Sequence, residues 1–346
     1  MWLAEMRSKY DHKSLLAALA RHSHFTDLYA WAKRWLLRSQ VVILMYHRVC
    51  PRAEDWSVRG ISPQVFERQL EYLSRNYDII SLDEVVEHIR KRTTFPRKAL
   101  AITIDDGYRD NYTFAYPILR KYRAPATIFL ATAHIGTGKP FWWDQVGYCL
   151  HHTTSGRLDL GELGRYVVEP SSDKRQIAQK IIREVERLSD TAKETMMAKL
   201  ASVSGVEVPE ELGKNLTLSW EQIEEMSRSG IDFGGHSVAH PILTMVPLKR
   251  ATWEIAQSKE HIERRIAKSV KFFAYPAGRF NAKIVRVVEA SGYVGAVTVR
   301  PSWSTLQTNV FKLGRINAVV EDFNKFQVLL SGFWGDLENA FMKREE

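Results

Sequence analysis

Apolar runs that alternate with helical patterns are the feature that most restricts the fold of this 346-residue chain. The first run, VVILMYH at residues 41–47, is apolar almost throughout, which is typical of a strand buried on both faces. Further runs occur at 99–104, 126–131, 231–235, 270–275, 294–299 and 310–316. Strands that alternate with helices predict a parallel sheet. Because no glycine-rich dinucleotide motif accompanies these strands, we predict an α/β fold of the distorted (β/α) barrel type with about seven parallel strands.

The segments between the strands carry helix signals. Ser62 is a predicted N-cap with Pro63 at the first helical position, and the helix presents an apolar face formed by Phe66, Leu70 and Leu73. More helices are predicted at 219–229, 248–268 and 281–291. Residues 136–217 interrupt the alternation, and we interpret them as an insertion over one rim of the barrel, with a charged helix near 173–203. The barrel domain is then expected to span 41–330, followed by a tail at 331–346.

Two adjacent carboxylates end the predicted strand at 99–104. Asp105 and Asp106 directly follow LAITI, and burying carboxylates without partners costs several kcal/mol. The carboxyl ends of barrel strands are also where active sites are built. An Asp-Asp-Gly sequence on its own is more often a turn, so the pair needs a second signal.

A histidine pair after another predicted strand supplies that signal. His236 and His240 lie four residues apart in GGHSVAHP, a spacing that points both rings the same way on a helical turn. Two histidines and one aspartate form a three-ligand set for a divalent cation, with a position open for water and substrate. Either histidine alone could be structural. The cation would provide the positive charge that the buried carboxylates require.

Four motifs together resemble the polysaccharide deacetylases, that is, carbohydrate esterase family four with its NodB homology domain. TIDDG at 103–107 is similar to the Thr-Phe-Asp-Asp-Gly motif of that family, with Ile104 in place of Phe, and HSVAH at 236–240 is similar to its His-Ser/Thr-x-x-His motif. FAYPAG at 273–278 and MYHRV at 45–49 are similar to motifs of its poly-N-acetylglucosamine deacetylase branch. The resemblance covers about residues 41–320.

The resemblance implies a role for each matching residue. Asp106, His236 and His240 would bind the metal, most often zinc, and Asp105 would be the general base that takes a proton from the attacking water. The backbone N–H of Ala277 would help to hold the oxyanion. Many relatives have Tyr at that position, but a backbone donor does not require a particular side chain.

Two family features are altered in this chain. No late Leu-x-x-x-His-like motif is present, and the resemblance to the branch with an early MYH motif implies that His47 is the general acid. Ala274 occupies the place of the arginine that tunes the catalytic base in many relatives. Arg315, near the end of a late predicted strand, is our candidate to replace it from across the barrel.

Several aromatic and polar residues are candidate substrate contacts. Trp142 and Trp143 in FWWD could stack on sugar rings, although hydrophobic anchoring of the insertion explains them equally well. Tyr108 and Arg109 follow the carboxylates, and Tyr275 lies in the third motif.

Bulk properties restrict the partners and the compartment. The net charge of +9 arises partly in residues 1–40, where apolar and basic residues alternate with helical spacing. That segment is predicted to be a helix packed on the domain or, alternatively, an interfacial helix at an anionic membrane surface.

No basic run with interleaved aromatics lies near the carboxylates, so a nucleic-acid partner is not expected. Cys50 and Cys149 match no disulfide framework or zinc motif, and the absence of a visible secretion signal favours a cytoplasmic or peripheral membrane location.

The favoured hypothesis is metal-dependent removal of N-acetyl groups from a glycan or a glycan precursor. The same site could instead act on an O-acetyl ester, a formamide or a cyclic imide. A third hypothesis is a glycan-binding protein without catalysis, but the presence of both aspartates, His236, His240 and His47 argues against it.

Overall fold

The computed structural model describes residues 40–51, 60–169 and 171–331. The predictions for the N-terminal extension and for the tail beyond residue 331 fall outside these ranges. Within them the strands are β1 (Gln40–Tyr46), β2 (Asp78–Ile79), β3 (Ala99–Ile104), β4 (Ala126–Leu130), β5 (Arg157–Asp159), β6 (Arg165–Val167), β7 (Asp232–Gly235), β8 (Phe272–Ala274), β9 (Gly295–Val297), β10 (Ser304–Thr305) and β11 (Ile316–Asn317).

The helices separate most of these strands, as the sequence patterns predict. They are α1 (Pro63–Asn76), α2 (Leu82–Lys91), α3 (Tyr116–Lys121), α4 (Trp142–His152), α5 (Lys174–Val185), α6 (Asp190–Ser204), α7 (Leu212–Leu216), α8 (Trp220–Arg228), α9 (Leu248–Ile266), α10 (Ala282–Ala290) and α11 (Phe323–Ser331). A π-helical turn at Asn111–Ala115 leads into α3, and short 3₁₀ turns lie at Gly161–Leu163 and Pro276–Gly278. Ser62 caps α1 by accepting a hydrogen bond from the Val65 N–H at 3.4 Å, which confirms the predicted helix start. None of the described helices is both long and apolar enough to cross a membrane.

The main sheet runs in the order β10-β1-β3-β4-β7-β8-β9, with β2 beside β3 and β11 beside β1. All of these pairs are parallel except β1 with β10. The strands from β1 to β4 are buried along their whole length apart from Gln40 and β2, because helices cover the outside of the sheet. The α/β fold and the curled, mostly parallel sheet are therefore confirmed.

The seventh predicted strand differs from the structure. Residues 310–316 do not form one continuous strand, because a turn in which the Lys312 N–H bonds the Asn309 carbonyl at 2.8 Å interrupts it. What remains is a bridge of Leu313 to Val297 in β9, followed by the two-residue strand β11 on β1. This short stretch nevertheless connects β9 to β1, and Arg315 lies in it between the two contacts.

The segment 136–217, here called the insertion, lies between β4 and β7. It contains α4, the β5–β6 hairpin, α5, α6 and α7. The predicted charged helix near 173–203 is in fact two helices, because Ser189 caps the start of α6 by accepting from the Ala192 N–H. An apolar cluster of its own, which includes Val146, Leu158, Ile181 and Leu200, holds these elements together.

Candidate active site

The chemistry-bearing residues come together because each directly follows a strand of the same parallel sheet. Tyr46 and Ile104 are partners at the ends of β1 and β3, so His47 and Asp105 leave the sheet side by side. The Asp105 N–H continues the ladder by donating to the Tyr46 carbonyl at 2.9 Å. His236 follows β7 in the same way, and its N–H donates to the Leu130 carbonyl at 2.9 Å.

Asp106 turns away from the strand direction through a left-handed backbone. Its φ is 74°, and the next residue, Gly107, has a φ of 76°. A Cβ at Gly107 would also approach Leu130 Cδ2 to 2.7 Å, so both the conformation and the space require glycine there. The Asp-Asp-Gly turn therefore has a function, because it reverses the chain and directs the second carboxylate into the site.

The two histidines meet in a loop, not on the helical turn that their spacing suggested. Ser237 and His240 both have positive φ, and the His240 N–H donates to the Ser237 hydroxyl at 3.0 Å. Glu254 of α9, which is 1% exposed, accepts from the N–H groups of Val238 and Ala239 at 2.9 and 2.8 Å. The buried carboxylate thus fixes the loop between the two rings, a contact that the local sequence pattern does not reveal.

Asp106, His236 and His240, here called the ligand triad, have the geometry and the chemistry of a metal centre. One ligand atom from each lies within 4.8 Å of the other two. Asp106 Oδ1 is 3.5 Å from His236 Nε2 and 3.8 Å from His240 Nε2. His236 uses its other nitrogen, Nδ1, in a 2.7 Å contact with the Ala274 carbonyl, which leaves Nε2 free to bind.

The electrostatics of the ligand triad also fit a divalent cation. Burial, together with the charges of Asp105 and Asp144, raises the pKa of Asp106 well above its usual value. Burial lowers the pKa of His236, and burial together with the neighbouring His236 and His134 lowers the pKa of His240 well below its usual value. The rings are thus neutral and able to ligate, while the buried carboxylate lacks a compensating charge that a cation would provide.

Arg315 holds Asp105 in a bidentate ion pair inside the barrel. Its Nη1 and Nη2 donate to the two Asp105 oxygens at 2.6 Å each, and Nη1 also contacts the Thr103 hydroxyl at 3.1 Å. The guanidinium is fully buried, and its Nε donates to the Thr298 carbonyl at 2.9 Å. Burial raises the pKa of Asp105, but the Arg315 charge and hydrogen bonds outweigh it and hold that pKa well below its usual range. Arg315 therefore reaches Asp105 from a late segment of the chain and keeps its carboxyl group ionised.

A pocket of about 270 Å³ lies over these groups. Its barrel wall includes His47, Asp105 and the ligand triad, and Tyr275 and Ala277 border it. Ala277 has a φ of 52° in the 3₁₀ turn after β8. Burial lowers the pKa of His47 to about 4, although the Asp105 charge acts in the opposite direction. Tyr275 is fully buried and anchored, because its hydroxyl donates to the Phe311 carbonyl at 3.0 Å.

The insertion forms the opposite wall of the pocket. Trp142 and Trp143 line it, and the Trp143 ring lies 4.9 Å from the His240 ring, edge to face. The Trp143 Nε1–H donates to the Tyr108 hydroxyl at 2.7 Å, and that hydroxyl contacts both Asp144 oxygens at 3.2 Å. These hydrogen bonds fix the position of the Trp143 ring, the third aromatic ring of FWWD.

Two predicted substrate contacts do not reach the pocket. Tyr108 is fully buried and does not line the pocket, and it supports Trp143 instead. Arg109 is exposed, and its Nη1 contacts the Asn215 side-chain oxygen at 3.4 Å outside the pocket lining. Both predictions were based on closeness to Asp106 in sequence. The backbone changes direction at Asp106 and Gly107, and the residues that follow therefore lie outside the pocket lining. Conversely, the pocket lining includes Ile182, Glu186 and Lys193 of the insertion, which no motif identified.

The protein is thus an α/β protein whose curled, mostly parallel sheet carries a candidate metal centre at its carboxyl edge. The chain belongs to the polysaccharide deacetylase family, whose sequence profile matches residues 92–296. Over 291 residues it is 23% identical to YxkH of Bacillus subtilis, a protein named for the same family, with 84% of this chain and 75% of YxkH covered.

Two further comparisons give a local similarity in sequence and a similarity in fold. A stretch of 78 residues is 38% identical to the poly-beta-1,6-N-acetyl-D-glucosamine N-deacetylase of Staphylococcus aureus, covering 22% of this chain and 27% of that protein. The solved structure of the Streptococcus pyogenes deacetylase PplD in complex with acetate superposes with a TM-score of 0.57 at 21% identity, covering 84% of this chain and 98% of that one. The second comparison supports the fold.

Cation binding is expected to stabilise the protein, and more strongly as the pH rises. The raised pKa of Asp106 means that a proton competes with the cation, so binding should release a proton and weaken as the pH falls. At a free concentration of Zn²⁺ 100-fold above its dissociation constant, the gain in unfolding free energy should be about 2.7 kcal/mol. Calorimetric titration in two buffers of different ionisation enthalpy measures both the affinity and the released proton.

The control for this measurement is a histidine outside the ligand triad. His236→Ala should abolish the stabilisation, whereas His152→Ala on the exposed end of α4 should leave it intact. An unchanged affinity in His236→Ala would place the cation elsewhere.

Proposed function

We propose that this protein hydrolyses the N-acetyl group of a glycan or a glycan precursor, with Zn²⁺ as the bound cation. The observation that carries the proposal is the convergence of the ligand triad, Asp105 and His47 on one pocket. Membership of the polysaccharide deacetylase family supports an acetylated glycan as the substrate. The N-acetyl specificity in the name of the Staphylococcus aureus relative favours an amide over an ester.

The first step requires a base and an activated water. A bound divalent cation supplies the Lewis acidity that lowers the pKa of a water and polarises the acetyl carbonyl. Asp105 takes the proton from that water as its oxygen bonds to the carbonyl carbon. Arg315 keeps Asp105 ionised and fixes both of its oxygens. Asp105 is therefore a weak base that stays ionised, and a bound cation would supply the acidity that the attacking water needs.

The second step breaks the C–N bond. The negative charge on the former carbonyl oxygen would be shared with the backbone N–H of Ala277, which borders the pocket. His47 donates a proton to the leaving nitrogen as the bond breaks, which yields acetate and the free amine of the sugar. Because Asp105 and His47 face the same pocket from neighbouring strands, separate groups remove the proton of the water and protonate the amine.

The direct test is product formation from defined substrates. Purified protein loaded with Zn²⁺ should release acetate and free amine in equal amounts from N-acetylated oligosaccharides. Release of acetate from O-acetylated sugars alone would replace the proposal with an esterase, and formate release from formylated amino sugars would replace it with a deformylase. A protein that binds such glycans and releases nothing would be a binding module.

The role of His47 has a distinct kinetic signature. His47→Asn should lower kcat on an N-acetylated sugar by about 10²–10⁴-fold, the range of general acid catalysis. The kcat of the same variant on an aryl acetate ester should fall far less, because the leaving group of that ester departs as an anion and needs no proton. A general acid must be protonated, so the wild-type rate should fall as the pH rises through the pKa of His47, which burial lowers to about 4, and the variant should lack that decrease. Equal losses on both substrates would assign His47 a structural role.

A further inference from the structure

The wall that the insertion adds to the pocket carries charged groups that the proposed reaction does not use. Ile182 and Glu186 lie at the end of α5, and Lys193 lies on α6. They line the same pocket as Trp142, Trp143 and the ligand triad. A pocket that needed only to hold an acetyl group would not require an ammonium and a carboxylate on this side.

Lys193 is a buried ammonium with an unusual environment. The residue is 7% exposed, and its Nζ lies 5.5 Å from the centre of the Trp142 ring. Its nearest carboxylate oxygen is Asp190 Oδ1 at 3.8 Å, and Asp190 is itself 2.8 Å from an Arg250 nitrogen. Within the described residues, no hydrogen bond from the Lys193 ammonium is formed. Because Lys193 lines the pocket and its nearest carboxylate oxygen is beyond hydrogen-bond distance, its ammonium is placed to donate to a group that enters the pocket.

Glu186 gives the same wall an acceptor of opposite charge. It is half-buried and lines the pocket, close enough to Lys193 for their charges to interact. The charges of Asp190 and Arg279 also act on Lys193, and these two acidic and two basic groups together carry no net charge, so the wall does not select for an anion or a cation. A donor, an acceptor and two indole rings match the hydroxyl groups and the apolar face of a neutral sugar ring.

We propose that Trp142, Glu186 and Lys193 form a subsite for a neutral pyranose unit next to the sugar that is deacetylated. The ring stacks on the indole, Lys193 donates to a hydroxyl or ring oxygen, and Glu186 accepts from a hydroxyl. The proposal rests on the proposed function, since it places this sugar relative to the ligand triad. It follows that the preferred substrate is an oligosaccharide or polymer of neutral sugars, and that a monosaccharide leaves the subsite empty.

The test compares substrates that do and do not reach the subsite. The probes are N-acetylglucosamine tetramers with β-1,4 and β-1,6 linkages and the N-acetylglucosamine monosaccharide. Lys193→Met and Glu186→Gln should each raise KM for the better tetramer about tenfold and leave kcat/KM for the monosaccharide unchanged. Lys199→Met, an exposed lysine on the same helix, should change neither value. Calorimetric titration of the metal-free protein with the tetramer should show the same tenfold weakening without any turnover.

The outcomes separate the subsite from the reaction. Equal losses on tetramer and monosaccharide would overturn the subsite, as would unchanged tetramer affinity in both variants. Tighter binding of an N-acetylated oligosaccharide that contains uronic acids would overturn the neutral assignment. Tetramer binding that depends on Lys193, in a protein that releases no acetate, would support the subsite and refute the deacetylase function.

Discussion

Replacing Asp105 with asparagine should lower kcat by about 10²–10⁴-fold while the protein keeps its cation. The carboxylate lines the pocket beside the ligand triad but is not part of it, so its loss removes the base without removing a ligand. His236→Ala, in contrast, should lose both the cation and the activity. Metal content by mass spectrometry and acetate release measure the two properties separately.

Asp105→Asn should also change the stability of the protein, because Asp105 is the ion-pair partner of Arg315. Asparagine can still accept a hydrogen bond from Arg315, but the guanidinium then lies buried without its counter-charge. Urea unfolding must therefore accompany the kinetics, and Asp105→Asn with Arg315→Met is the matched variant that removes the unpaired charge. Wild-type turnover in a folded Asp105→Asn protein would refute the assignment of the base.

The largest loss of stability should come from Arg315→Met. Breaking a buried ion pair by removing one partner costs about 3–5 kcal/mol, since the remaining charge stays desolvated. Without Arg315, burial would raise the pKa of Asp105 and protonate part of the base, so activity should also fall by at least tenfold. Lys312→Met, at an exposed lysine of the same segment, is the control. Equal unfolding midpoints for the two variants would contradict the ion pair.

The same pair predicts a direction for the pH dependence of stability. The folded pKa of Asp105 is lowered, so its contribution is present above the unfolded value of about 4 and is lost as the pH falls towards the folded pKa. Arg315→Met should therefore lose less stability than the wild type when the pH falls below 4. Urea midpoints at pH 3 and pH 7 provide the comparison.

Most of the sheet could be predicted from the sequence, because a strand buried on both faces leaves an apolar run such as VVILMYH. The break in the last predicted strand could not, since the turn at Asn309–Lys312 depends on local hydrogen bonds within an apolar stretch. The ligand triad followed from strand-end positions, although the reason given for the histidine spacing was wrong. A loop fixed by Glu254, fourteen positions beyond His240, aims those rings, and no local pattern encodes such a contact.

The insertion shows where sequence reasoning is weakest. The aromatic residues of FWWD make that motif recognisable in the sequence. Glu186 and Lys193 line the same wall of the pocket, but they are ordinary charged residues in charged helices. Only the packing of α5 and α6 over the barrel distinguishes them from solvent-facing neighbours such as Lys199. Tyr108 lies outside the pocket lining although it is close to Asp106 in sequence, because the backbone turns at Gly107 between them.

The ion pair of Asp105 and Arg315 joins residues 210 positions apart. During synthesis on the ribosome, a chain of the first 240 residues would already include both aspartates and both histidines. A nascent chain of that length still lacks the guanidinium that keeps Asp105 charged. With Asp105 as the proposed base, we expect hydrolysis to begin only after the final part of the polypeptide has docked against its beginning, and truncated products to be inactive even with a bound cation.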